Sequence, residues 1–336
     1  MRLRAAAAVL LMSMPLSAHA QQSFKDVPPS DPAAPAIEYV KEKGIFRGYD
    51  DGTFRPSLPV KRSEAAKILV LMKFSEQEAA KYTESSFVDV PAGSWYLPYV
   101  EAALVRLRII DGPPLREAFY PDNSVKKAQF FKMLFKTQGA DTAAFDNIKL
   151  PLAPDATDTA AWYYPLLRYA LSSSVLQTEA DGTLRPDAEL SRADVATAIF
   201  RLAKYREGMR TQALLSDAEK EFRAIPGLLG GKDIVAAEHG SARALIAARG
   251  AHLMKPGAAI VQSAVKTAEA FRALVRAYRA GVDAQWDLVV TLSQEAWTLA
   301  EKAKSISPGV QELTDQVQSA AKRLADQARE AQKTQP

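Results

Sequence analysis

The sequence predicts a mainly α-helical protein: three two-helix units in tandem, followed by an all-α bundle or short coiled coil. Landmarks recur every 65 residues through the N-terminal two thirds, at Pro56, Pro121 and Pro186 and again at Arg62, Lys127 and Arg192. One such unit buries too little apolar surface to stand alone, so three should pack together. Beyond about Gly208 the chain becomes rich in Ala, Gln, Glu and Lys, with apolar residues at helical spacing and no strand alternation. A length of 336 residues also suits two domains at roughly 150 residues each.

The first element reads as a targeting segment over residues 1–20. Arg2 and Arg4 supply a basic start, Ala5 to Met14 a short apolar run, and Ala18-His19-Ala20 a small-x-small site before Gln21. The run is shorter than the ~20 residues a spanning helix needs. Loss of both arginines leaves 41 basic against 39 acidic residues, so the apparent basicity largely disappears and nucleic-acid binding by charge is excluded.

The repeats occupy residues 21–80, 81–145 and 146–207. The first reads SFKDVP from Ser23, a helix to Lys43, GIFRGYDDGTFRP to Pro56, then VKRSEAAKIL from Val60. The second reads SFVDVP from Ser86, WYLPYVEAALVRLRIIDG to Gly112, FYP at Phe119 to Pro121, and VKKAQFFKML from Val125. The third reads LAPDA from Leu152, WYYPLLRYAL from Trp162, DGTLRP to Pro186, and LSRADVATAIF from Leu190. Ile37 and Val40 make the apolar stripe of the first helix. Asp51-Gly52 and Asp181-Gly182 mark tight turns. Ser191 with Asp194 reads as a capping box, whereas Lys61 and Lys126 at the matching positions lack a side-chain acceptor.

Residues 208–336 read as four or five antiparallel helices. Val310, Leu313, Val317, Ala320 and Leu324 trace an a/d seam that stops at Gln327, and Val261, Val265, Ala268, Val275 and Tyr278 trace another face. Pro226-Gly227, Gly230-Gly231, Pro256-Gly257 and Ser305 to Pro308 read as breakers, too frequent for one long rod.

The repeat motifs resemble the S-layer homology domain: an F-x-D-V start, a Trp-led helix, a G-I-x-G-x-x-D-G-T-F-x-P loop and a helix opened by T-R-A-E. Residues 23–72 match closely, 86–135 well and 152–203 more loosely. Pro32 stands where the first repeat's Trp belongs. The box reads Lys61-Arg62-Ser63-Glu64, then Lys126-Lys127-Ala128-Gln129, then Ser191-Arg192-Ala193-Asp194. The resemblance implies a pseudo-threefold assembly whose inter-repeat grooves hold a peptidoglycan-linked, acidic and often pyruvylated wall polysaccharide. By position it implies Arg62, Lys127 and Arg192 as cationic contacts. Asp26, Asp89 and Asp155 would touch sugar hydroxyls or buttress the cations, and Trp95, Trp162 and Gly48 would line the grooves. The physics is compatible: a guanidinium forks onto a carboxylate, an indole offers a face to a sugar ring, and turn N–H groups can receive an anion. Arg62 and Arg192 sit in first helical turns, where the dipole disfavours a cation, so ligand contact is the better account of them. Arg62 should matter most and Lys127 less. The alternatives are that the aspartates are turn formers and the tryptophans core aromatics.

Composition narrows the function further. There is no cysteine, and His19, His239 and His252 are the only histidines, so disulfides, thiol catalysis and Cys/His metal sites are excluded. No G-x-S-x-G or H-E-x-x-H occurs in the C-terminal region, and Ser263 to Lys266 and Ser319 to Lys322 are S-x-x-K matches without partner motifs. The expectation is a non-catalytic, exported envelope protein, in the periplasm or at the cell surface. It would need no cofactor or metal, bind no nucleic acid and contain no transmembrane segment after processing. Two other readings remain: an adaptor whose helical region binds another envelope protein, and a wall-anchored glycan-active enzyme.

Overall fold

A computed structural model describes residues 24–334; the targeting segment read over residues 1–20 lies outside them. Each repeat is a pair of helices joined by a long loop. Repeat 1 contributes α1 (Ala34–Glu42) and α2 (Arg62–Leu71), followed by a short α3 (Glu76–Ala79). Repeat 2 contributes α4 (Leu97–Glu101), which runs into a π turn at Ala102–Arg106, and α5 (Lys127–Gln138). Repeat 3 contributes α6 (Tyr164–Ser172) and α7 (Arg192–Arg206). Each first helix has a proline in its opening turn, Pro35, Pro98 and Pro165, where the missing N–H costs nothing.

Each second helix is started by a reciprocal contact from its third residue. Glu64, Gln129 and Asp194 accept the backbone N–H of Lys61, Lys126 and Ser191 at 2.8, 3.3 and 2.9 Å. Only Ser191 completes the box, its Oγ accepting the Asp194 N–H at 3.2 Å.

The three repeats close into a ring through the residues just before these helices. Val60 donates to Leu190, Leu190 to Val125, and Val125 to Val60, at 2.9, 3.2 and 2.8 Å. All three side chains are buried. The 65-residue period is therefore the register of a pseudo-threefold axis: equivalent residues meet head to tail around it. Ile37 and Val40 face the core fully buried.

The C-terminal region is a bundle of five helices: α8 (Thr211–Gly230), α9 (Ile234–Met254), α10 (Ala259–Val282), α11 (Trp286–Ile306) and α12 (Gln311–Thr334). Successive helices pack on one another. Two sequence expectations need correcting. Pro226-Gly227 does not break the chain; Pro226 lies inside α8, which continues to Gly230. The buried stripe of α12 does not stop at Gln327 either. It moves from Leu313 and Val317 to Ala321, Ala325 and Ala328, while Ala320 and Leu324 are only partly covered. A straight helix turns every 3.6 residues, so its core face drifts ~20° per heptad away from an a/d reading.

The bundle is seated on repeat 3. Nearly every residue of α6 is buried, whereas α1 buries only Ala36, Ile37 and Val40. Helix α9 lies against α6. Gly250 makes that approach possible: a Cβ there would overlap the Ser172 carbonyl oxygen and stand 2.7 Å from its carbon. Arg243 donates to the Leu152 carbonyl at 2.8 Å and pairs with Glu221 at 2.7 Å. One continuous apolar cluster runs from Phe24 to Ala321 and crosses the turn at Gly208.

Candidate functional site

The loop between the two helices of each repeat ends in a tip whose backbone is held from both sides. Arg55, Tyr120 and Arg185 occupy the tips with φ of 58°, 59° and 50°. This left-handed conformation is uncommon for residues other than glycine, and something must hold it. Asp26 accepts the N–H groups of Phe54 and Arg55, both at 2.7 Å. Asp89 accepts those of Phe119 and Tyr120 at 2.7 and 2.6 Å. Asp155 accepts those of Leu184 and Arg185 at 3.0 and 2.7 Å. These carboxylates are therefore engaged with their own repeat's backbone.

The carbonyl on the other side of each tip is taken by the cation of the preceding repeat. Arg62 donates through Nε to Phe119 at 2.8 Å, Lys127 through Nζ to Leu184 at 2.8 Å, and Arg192 through Nε to Phe54 at 2.7 Å. Arg192 also donates to the Arg47 carbonyl at 3.0 Å, and Lys127 approaches Glu179 at 3.4 Å. Arg62 and Arg192 lie over the Phe119 and Phe54 rings at 4.9 and 4.7 Å. Lys127 and Arg192 are buried and Arg62 is partly buried. Burial pushes both guanidinium pKa values down. The Asp89 charge opposes this for Arg62 and Arg116 adds to it, while Tyr49 and Glu64 oppose it for Arg192. Both remain protonated, as arginine does in proteins. The unfavourable dipole at the first helical turn is thus offset by a carbonyl on the next repeat.

These contacts show which loop each cation faces. Arg62 does not share a seam with the repeat 1 loop; it faces the repeat 2 loop, and Arg192 faces the repeat 1 loop. Gly48 lies in the repeat 1 loop, where a Cβ would collide with the Phe24 ring and stand 2.8 Å from the Thr53 carbonyl. Its absent side chain is required by packing. Trp95 and Trp162 are each 54% exposed, so neither ring is a core aromatic. They stand edge-on to Tyr96 and Tyr163, and Lys67 lies over the Trp95 ring at 5.7 Å.

A groove of about 670 Å³ opens where Arg62, the repeat 2 loop, α5 and Trp162 converge. Its wall carries Arg116, Tyr120, Lys126 and Lys132, none of which the sequence marks as a ligand contact. The 65-residue register held the signal. Arg116 falls where Asp51 and Asp181 stand in the other repeats, and Tyr120 where Arg55 and Arg185 stand. In those two repeats the pair is internal: Arg55 meets Asp51 at 3.0 Å and Arg185 meets Asp181 at 2.8 Å. Hydrogen bonds from Thr53 and Arg55 pull the Asp51 carboxyl down to about 2, and the equivalent bonds from Thr183 and Arg185 lower Asp181 as well. In the repeat 2 groove, Lys132 pairs with Asp111 at 2.8 Å and Lys126 with Glu189 at 3.1 Å. Among the described residues Arg116 has no side-chain hydrogen bond or ion pair. Its surroundings suit an anion with a flat apolar face beside it, as in an acidic sugar.

Known proteins agree with the repeat reading. The S-layer homology domain family model matches residues 23–66, 86–131 and 154–196. The chain is 38% identical over 109 residues to a cellulosome-anchoring protein of Acetivibrio thermocellus, covering 32% of this chain and 24% of that one. It is 26% identical over 203 residues to S-layer protein EA1 of Bacillus anthracis, covering 60% of this chain and 22% of the relative. A surface-layer 125 kDa protein of Lysinibacillus sphaericus is 28% identical over 176 residues, 50% of this chain and 14% of its own length. The chain thus spans less than a quarter of each of these relatives. With three matched repeats built on one backbone geometry and closed into a ring, the N-terminal part of the chain carries three S-layer homology domains.

Proposed function

We propose that the chain anchors itself non-covalently to the cell wall, its three repeats holding an acidic, peptidoglycan-linked polysaccharide of the pyruvylated type. The protein is exported and associated with the cell wall, and its role there is non-catalytic. The observation that carries the reading is the cationic groove beside the half-exposed Trp162. Carboxylate and sugar face are the two features of such a polymer, and a guanidinium and an indole are their natural counterparts. The similarity to a cellulosome-anchoring protein and to S-layer proteins supports the same role. Asp26, Asp89 and Asp155 act by shaping the loop tips, and Arg62, Lys127 and Arg192 by joining repeats while presenting residual positive charge to the seams.

The test is cosedimentation of the full chain with purified wall sacculi, before and after mild acid extraction of the linked polysaccharide. Binding should be lost on extraction and weakened by added salt, because part of the attraction lies between accessible charges. Equal binding to extracted sacculi would reject the polysaccharide as the ligand.

A further inference from the structure

The three seams share a backbone but differ in charge. At the three exchangeable positions, repeat 1 has Asp51, Arg55 and Glu64, and repeat 3 has Asp181, Arg185 and Asp194. Two acids and one arginine leave these three positions with one net negative charge in each of those repeats, and the arginine is already bound to the loop aspartate. Repeat 2 has Arg116, Tyr120 and Gln129 instead, leaving one net positive charge. Gln129 keeps the reciprocal contact that starts its helix, at 3.3 Å, without bringing a carboxylate. It also accepts from Arg62 at 3.2 Å. The residues at these positions in repeat 2 therefore remove negative charge from its seam.

We infer that the ring has one anion-binding seam, the groove at repeat 2, and that Arg116 is the group that meets the carboxylate of the bound sugar. This deepens the wall-polysaccharide reading and rests on it. A carboxylated sugar entering at repeat 1 or repeat 3 would have to displace an internal Asp–Arg pair and approach a second acid at Glu64 or Asp194. At repeat 2 it meets an unpaired guanidinium on an exposed loop, with the phenol of Tyr120, 56% exposed, and the Trp162 ring beside it. The position of Arg62 fits: burial is the main cause of its lowered pKa, and the nearby Arg116 charge adds to it. An anion placed there relieves that repulsion.

The experiment exchanges the seams in the full chain. The double variant Arg116→Asp with Tyr120→Arg installs the ion pair that repeats 1 and 3 hold on the same loop geometry, so it should fold, which an unchanged melting temperature checks. Its affinity for native sacculi should fall about ten- to a hundredfold, the loss expected for a charged hydrogen bond and a reversed charge. The converse variant in repeat 1, Asp51→Arg with Arg55→Tyr, should bind at least as well as the parent. Oligosaccharide released from sacculi by mild acid should change tryptophan fluorescence in the parent and in Trp95→Phe, but not in Trp162→Phe. Parent-like binding by the repeat 2 variant would overturn the assignment while leaving wall binding intact. Equal losses from the two double variants would show that the seams share the ligand and would overturn it too. Parent binding that survives acid extraction of the sacculi would remove the polysaccharide reading and this inference together.

Discussion

Arg192 donates through Nε to the Phe54 carbonyl at 2.7 Å across 138 residues of sequence, joining the last repeat to the first. That bond closes the ring. The same position in the other repeats makes the same contact one step around the axis, so ring closure is a property of the repeat and not an added device.

Arg192→Ala should therefore destabilise the ring. It removes two hydrogen bonds from a buried guanidinium and leaves the Phe54 and Arg47 carbonyls without their donor. The expected loss is about 3 kcal/mol, the range for deleting a buried charged donor. Arg192→Lys should recover part of it, because Lys127 does the equivalent job with one ammonium. Urea unfolding followed by circular dichroism measures both; an unchanged midpoint for the alanine variant would mean the ring is held elsewhere.

Asp89→Ala should loosen the repeat 2 loop tip. The carboxylate accepts two N–H groups that flank a left-handed residue, and alanine leaves both without an acceptor. A cost of about 2 kcal/mol is expected from two lost bonds to a charged acceptor on a partly exposed loop. Asp89→Asn should cost less, since its carbonyl oxygen still accepts one. Amide exchange at Phe119 and Tyr120 should accelerate in the alanine variant, and no change there would contradict the assigned role.

The ring was legible in the sequence as a period. Pro56, Pro121 and Pro186 gave its length, and Ile37 and Val40 gave the buried side of a first helix. What the period could not give was direction: a cation written in one repeat acts on the loop of the next, and spacing along a chain does not say which neighbour a side chain faces. That Arg62 meets the repeat 2 loop is therefore visible only in the structure. Arg116 was passed over for a different reason. A motif rewards agreement, while the charge of a groove depends on the positions that disagree. The seating of the bundle was hidden as well, although α6 carries a hint in YPLLRYALS, whose only charged residue, Arg168, is buried on Thr142, Asp146 and Ile148.

The buried His239 on α9 gives the junction a pH dependence. Burial lowers its pKa below 6.5, and Arg243 pushes the same way, against Glu238, Asp233 and Asp155. The unfolded chain takes up a proton as pH falls through about 6.5, while the folded chain resists it until lower pH. Stability from this group is thus fully present above pH about 6.5 and is lost as pH falls through the depressed folded value. Melting curves between pH 7.5 and 5 (chosen to bracket the transition) should show a smaller acid loss for His239→Gln than for the parent. Parallel curves would mean that the histidine is protonated equally in both states.

Gly250→Ala should separate the bundle from repeat 3. The added methyl would meet the Ser172 backbone, which cannot turn aside as a flexible side chain would. Overpacking of this kind costs typically ~1–3 kcal/mol, and the upper end is expected because the obstacle is a carbonyl. The damage should be local at first: α9 lifts from α6, and Tyr164, Leu167 and Ala170, all buried in the parent, become wet. Limited proteolysis should then cut near Gly208, in the turn between α7 and α8, at protease levels that leave the parent whole. Gly257→Ala is the control, since a Cβ at that glycine meets nothing within 4 Å. If Gly250→Ala melts and cuts like the control, the helices are able to separate freely there, and residues 208–336 would behave as a domain independent of the ring.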